Sequence, residues 1–133
     1  PFSRGQFPVG VRTLELIDSE RDGRRLPTEL WYPAAARFSG QDLAVDTRDS
    51  YTLLPGFPAS WQRAVRDADA AEGFSTIKLY GKGRTELDSF DCQGANQCNA
   101  TFAVQAIQSP YFVARADQSD GDILVSAPVW LTP

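Results

Sequence analysis

FSTIKLYGKGRTELDSFDCQGANQCNATFAVQAIQSPYFVARADQSDGDILVSAPVWL, residues 74 to 131, alternates apolar and polar side chains from one turn cluster to the next. A period of two sends successive side chains to opposite faces of a strand. The interruptions GKG, QGANQ, QSP and QSDG are built from residues that favour turns. The stretch therefore predicts strands near 76–81, 86–92, 98–106, 110–116 and 122–131. Phe102, Val104 and Ala106 fall on one side, and so do Ile123, Val125, Ala127, Val129 and Leu131 of the last strand. Pro128 has no N–H to give to a ladder, so it makes that strand an edge or places a bulge in it.

Upstream, VRTLELID (11–18) and RLPTELWYP (25–33) flank the charged, Gly-containing SERDGR. This predicts a hairpin with strands near 10–18 and 26–32, in which Leu26, Thr28, Leu30 and Tyr32 share a face. Pro33 ends the second strand, and residues 34–57 show no sustained period and read as a long loop. SWQRAVRDADAAEG (60–73) offers Ser60 as an N-cap, Trp61, Ala64, Val65 and Ala68 at helical spacing, and Gly73 as a stop. It predicts a helix near 60–72, with Asp67, Asp69 and Glu72 opposing the helix dipole at its end. The expected fold is mainly β: an antiparallel β sandwich or meander with an N-terminal hairpin and one short helix. Residues 1–133 read as a single compact domain built from two segments, 1–73 and 74–133.

Composition narrows the function classes. At 42% hydrophobic residues, the 133-residue chain carries enough apolar surface for an ordinary core. The net charge of −4 and the scattering of the thirteen basic residues argue against nucleic acid as a partner, because duplex binding needs clustered Lys and Arg. No apolar run approaches the roughly 20 residues that cross a bilayer, and the first residues lack a signal peptide's charged and apolar regions. The sequence reads as a soluble chain without a membrane partner.

Cys92 and Cys98 frame CQGANQC. If the flanking residues are paired strands, the loop brings the two Cβ atoms opposite each other for a cross-strand disulfide, which favours a secreted or periplasmic protein. Two buried free thiols are the alternative, and zinc would need carboxylates in its remaining positions. Asn99-Ala100-Thr101 is a formal glycosylation sequon.

Catalytic equipment is sparse. The chain has no histidine and nowhere spells G-x-S-x-G, so a serine nucleophile has no usual base and no elbow. Lys78 and Lys82, the two lysines of the chain, are predicted on or beside one exposed strand and turn, and GKGR (81–84) lacks Walker spacing and reads as a turn. The densest acidic cluster is DQSDGD, where Asp117, Asp120 and Asp122 offer oxygen ligands to a hard divalent cation such as Mn²⁺, Ca²⁺ or Mg²⁺. The same residues also make a polar β turn with Gly121 at the position needing positive φ. Glu15, Asp18, Glu20 and Asp22, and separately Asp67, Asp69 and Glu72, are weaker acidic groups that solvent exposure explains. Arg21, Arg24 and Arg25 could attract a phosphate anion.

Two resemblances follow from these residues. FPVGVRTLELIDSERDGRRLPTELWYPA through YTLLPGFPASWQRAVRDADAAEG, residues 7–73, resembles the N-terminal portion of dienelactone hydrolase-like α/β hydrolases. That family's nucleophile elbow and histidine lie beyond this portion, so the resemblance carries over no catalytic residue. Residues 77–131, most specifically DGDILVSAPVWL, are similar to the C-terminal β region of metal-dependent phosphoesterases of the polymerase and histidinol phosphatase superfamily. The metals of that superfamily sit in a histidine-rich barrel upstream of this region. Together the resemblances imply a chimera joined near Gly73 to Ile77.

Two functions from different classes fit. One is a small metal-dependent hydrolase acting on phosphoesters, with water activated by a metal on Asp117, Asp120 and Asp122. The other is a noncatalytic β-rich binding or structural module derived from hydrolase fragments. Surfaces once covered in larger parents would expose strand edges, which predicts a homodimer.

Overall fold

The computed structural model describes residues 6–44, 48–50 and 63–131, with the backbone alone for 48–50. Among them are ten strands and two short 3-10 turns, Ala36–Phe38 and Lys82–Arg84. The strands are β1 (Val9–Asp18), β2 (Arg24–Pro33), β3 (Arg48–Ser50), β4 (Arg63–Arg66), β5 (Phe74–Tyr80), β6 (Glu86–Ala95), β7 (Thr101–Val104), β8 (Tyr111–Gln118), β9 (Ile123–Val125) and β10 (Val129–Trp130). They form two five-stranded sheets. The first runs β2-β1-β4-β3 with β7 also on β1, and the second runs β10-β8-β5-β6 with β9 also on β8. The fold is the mainly β one that the twofold alternation predicts.

The hairpin register runs from Val9 opposite Pro33 to Asp18 opposite Arg24. Asp22 and Gly23 take positive φ in the intervening turn, a conformation that Asp tolerates and Gly adopts freely. Because side chains alternate, the pairing places Leu14 and Leu16 of β1 beside Thr28, Leu30 and Tyr32 of β2 on one buried face. That face meets Phe74, Ile77 and Leu79 of β5 and Phe112, Ala114 and Ala116 of β8 in one apolar cluster. Tyr32 and Phe74 make an edge-to-face contact across it, with ring centroids 5.4 Å apart. Such a layered pair of sheets is a β sandwich.

The second half of the chain does not remain in one meander. β6 hairpins back on β5, but β7 leaves for the first sheet and pairs parallel with the far half of β1, Glu15–Asp18. β4 pairs parallel with Gly10 and Val11 on the same edge of β1. One edge of β1 is thus shared by two short strands, with a gap between them. The Cys92–Cys98 disulfide lies at this crossover, with both residues buried. Cys92 is on β6, whose ladder partner is β5, so the disulfide is not the bridge between mutually paired strands that the spacing suggests. It ties β6 of the second sheet to the loop that enters the first.

Three local expectations are corrected. Residues 60–62 of the expected 60–72 helix lie outside the described residues, and the remainder is not helical, since Arg63–Arg66 is strand β4 and Ala70 bridges to Ala34. Ala64, Val65 and Ala68 are buried as the helical spacing requires, but a pairing edge on β1 and covering side chains provide that burial instead. Within the expected 34–57 loop, Arg48–Ser50 pairs with β4, and residues 51–57 lie outside the described residues. The last strand breaks at residues 126–128, as Pro128 suggests, but its apolar residues do not share an inner face. Ile123 and Val125 point outward, while Ser126 is buried and accepts a hydrogen bond from the Ala114 N–H.

Gly73 is small for a different reason than ending a helix. A methyl group there would fall on the carbonyl oxygen of Gly94, and the Gly73 carbonyl itself accepts from the Ser119 N–H at 2.8 Å. Gly73→Ala is expected to lower the urea midpoint by an amount equivalent to roughly 1–3 kcal/mol, the usual range for overpacking against fixed backbone. Tyr32 supports a second prediction. Its hydroxyl donates to the Ala68 carbonyl at 2.6 Å, and burial raises its pKa from 10.0 while the Arg12 charge pulls the other way. The folded state therefore holds the proton more tightly than the unfolded one. Tyr32's contribution is complete below the unfolded value and is lost as pH rises through the higher folded value. Tyr32→Phe should cost about 1–2 kcal/mol at neutral pH. In urea titrations it should also show a shallower fall in stability above pH 10 than the parent.

Candidate functional site

The alternation that buries Phe112, Ala114 and Ala116 turns Tyr111, Val113, Arg115 and Asp117 of β8 to the outer face of the second sheet. β5 aligns with it in register, so Tyr80 stands beside Val113, Lys78 beside Arg115 and Thr76 beside Asp117. On the other flank Val125 stands beside Arg115, Ile123 beside Asp117, and Trp130 beside Tyr111. The outer face is thereby ordered, polar toward Thr76 and Asp117 and aromatic toward Tyr80, Tyr111 and Trp130.

At the aromatic end lies a groove of about 520 Å³ lined by Tyr80, Gly81, Arg84, Tyr111, Val113, Arg115 and Val125. Trp130 leans on Tyr111 with centroids 4.9 Å apart and planes inclined by 48°, and it is 61% exposed. A large aromatic that open contributes little to a core and presents its ring to solvent. Arg84 enters the groove from the Lys82–Arg84 turn, exposed and without an ion-pair partner among the described residues. Arg115, which lines the groove, donates through Nε to Asp117 Oδ1 at 2.7 Å. That hydrogen bond is the main reason its pKa is raised above the ordinary guanidinium value. A second groove, about 410 Å³, runs along the seam with β2 between Pro27, Trp31, Pro128 and Val129, and Val125 lines both.

The structure separates the three carboxylates read as metal ligands. Asp117 lies on the sheet face, held by Arg115 and by Thr76 Oγ1, which donates to Asp117 Oδ2 at 3.3 Å. Asp120 and Asp122 lie in the β8–β9 turn, where Asp120 Oδ1 accepts from the Asp122 N–H at 3.1 Å and Gly121 has φ 94°. Among the described residues no group of three or more His, Cys, Asp or Glu side chains is placed to hold a metal ion. The hairpin-tip acids are dispersed as well. Asp18 is buried and pairs with Arg24 at 3.3 Å and Arg21 at 3.7 Å, and Glu15 pairs with Arg25. Asp69 is taken by Arg37 and Gln97.

A third cavity, about 350 Å³, opens at the gap between β4 and β7 and is lined by Thr13, Glu15, Arg66, Asp67, Asn99, Ala100 and Thr101. Its charges are largely satisfied internally, Arg66 donating to Thr13 and Glu29. Arg12, 2% exposed, donates through Nη1 to Oδ1 of the cavity residue Asn99 at 2.9 Å, while Nε and Nη2 have no hydrogen-bond partner among the described residues. The inward Arg12, on the strand face it shares with Leu14, Leu16 and the buried Asp18, escaped the sequence reading, as did Tyr80, Arg84, Tyr111, Arg115 and Trp130. The alternating partners of Phe112, Ala114 and Ala116 were the available signal, since a solvent face carrying Tyr, Val and Arg is not an ordinary polar surface.

No family model, curated protein or solved structure matches this chain. The site is therefore judged on its own geometry. The Arg115–Asp117 pair is surface exposed, so Arg115→Gln should change folding stability by less than about 1 kcal/mol in urea titration. That outcome would confirm that the face is held by the sheet beneath it and is free to vary.

Proposed function

We propose that this chain is a noncatalytic β-sandwich binding module that takes its ligand on the outer face of the second sheet. One observation carries the reading: rings and guanidinium groups gather over a groove of about 520 Å³ on a face that the core does not need. Binding sites characteristically combine apolar and aromatic walls with a few placed polar groups. Rings fixed on paired strands also lose little entropy when a ligand settles on them. The same reading takes the resemblance to hydrolase fragments as ancestry of scaffold.

A metal-dependent phosphoester hydrolase on Asp117, Asp120 and Asp122 would have to draw Asp117 out of its bonds to Arg115 and Thr76. It would also have to draw Asp120 out of the turn it closes. Binding on the outer face asks for no rearrangement, which is the reason for preferring it.

The test has two arms. With bis(p-nitrophenyl) phosphate and added Mn²⁺, turnover should stay at the buffer rate and be indifferent to a strong chelator. In amide-shift mapping against a panel of small saccharides, nucleotides and peptides, perturbations should cluster on residues 78–84, 111–117 and 123–130. Manganese-dependent turnover that disappears in both Asp120→Ala and Asp122→Ala would restore the hydrolase and sink the module.

A further inference from the structure

We infer that the ligand of this face is an oligosaccharide bearing carboxylate groups, its sugar ring lying on Tyr111 and Trp130 and its carboxylate held between Arg84 and Arg115. The inference rests on the binding-module reading and gives it a ligand class.

Three features of the face point the same way. The C–H bonds of a pyranose face carry partial positive charge and meet the negative face of an aromatic ring, and Trp130 and Tyr111 present adjacent rings inclined by 48°. Two arginines line the same groove, one of them without an ion-pair partner among the described residues, and a guanidinium fork matches a carboxylate in plane and spacing. Along the strands beyond them, Thr76, Lys78, Arg115 and Asp117 set donors and acceptors side by side, the complement of a ligand dense in hydroxyl groups.

Charge decides between this ligand and a nucleic acid, which would also offer rings and anions. The chain has a net charge of −4, so a polyphosphate is repelled at long range by the molecule as a whole. A ligand with one carboxylate per sugar carries less charge per length than a nucleic-acid duplex, which has one charge per about 1.7 Å. Extension beyond one ring is suggested by Val125, which lines both this groove and the one along the β2 seam.

The experiment is titration calorimetry with amide-shift mapping on the intact chain. The probes are trimers of galacturonate and of mannuronate, a glucuronate-containing tetrasaccharide, the methyl ester of each, and an oligothymidylate. At least one acidic saccharide should bind about tenfold or more tightly than its ester and shift amides of residues 78–84, 111–117 and 123–130. Arg84→Gln, on an exposed turn, should erase the difference between acid and ester. Trp130→Ala should weaken both by about tenfold, with circular dichroism unchanged for each variant. Equal affinity for acid and ester overturns the carboxylate assignment. Binding of the oligothymidylate with no saccharide binding replaces the ligand with single-stranded nucleic acid. Shifts of this face by other small molecules alone overturn the inference and leave the module standing, whereas silence of the face to every probe overturns both.

Discussion

Everything in this fold hangs on β1 being paired along both edges while its inner face meets the second sheet. β2 covers one edge over all ten residues of β1, and β4 and β7 divide the other. Because β7 comes from beyond the disulfide and β4 from before Gly73, the two segments of the chain are sewn together at this strand. The apolar cluster is mixed accordingly, with Leu14, Leu30 and Tyr32 from the first segment against Phe74, Phe112 and Ala116 from the second. Neither segment can bury its apolar face alone, so the two depend on each other for the core. Parallel pairing of β1 with strands far along the chain also gives high contact order, and slow folding is the usual consequence.

The strands were legible because alternation reports burial directly. Both hairpin strands and four of the later ones stand where the period of two places them, give or take their ends, while the last breaks at residues 126–128. The 63–66 segment was not legible, because Ala64, Val65 and Ala68 satisfy a helical stripe and a short buried strand equally well. A helix of that length is marginal without packing, and an unfilled edge on β1 offered the backbone more. Strand partners were illegible for a related reason. Period says which side chains go inward but not which sheet a strand joins, and β7 went to the sheet opposite the one its neighbours suggest.

Of the candidate site, the acidic turn was read correctly as a turn, with Gly121 at positive φ. The notion of a site there came from counting carboxylates along the chain. In space, a residue at the end of a strand and residues at the tip of a turn answer to different masters. Asp117 follows the pleat of β8 and meets Arg115, whereas Asp120 closes its own turn. The aromatic face escaped notice because its members are spread from Tyr80 to Trp130 and only pairing of β5, β8 and β10 assembles them.

The contrast between the two arginine environments bears on why the outer face is available for binding. Arg12 is sealed inside the first sheet with one partner, and a charge so placed is a cost that the surrounding contacts must offset. Arg84 is exposed and Arg115 half-exposed, where they contribute little to folding and keep most of their capacity for hydrogen bonds. Both line the groove that Tyr111 borders, so a bound anion would meet them without any core contact being broken. The two sheets thus assign their cations to opposite tasks by strand parity: an even position on β1 of the first buries Arg12, and an odd position on β8 of the second leaves Arg115 beside the groove.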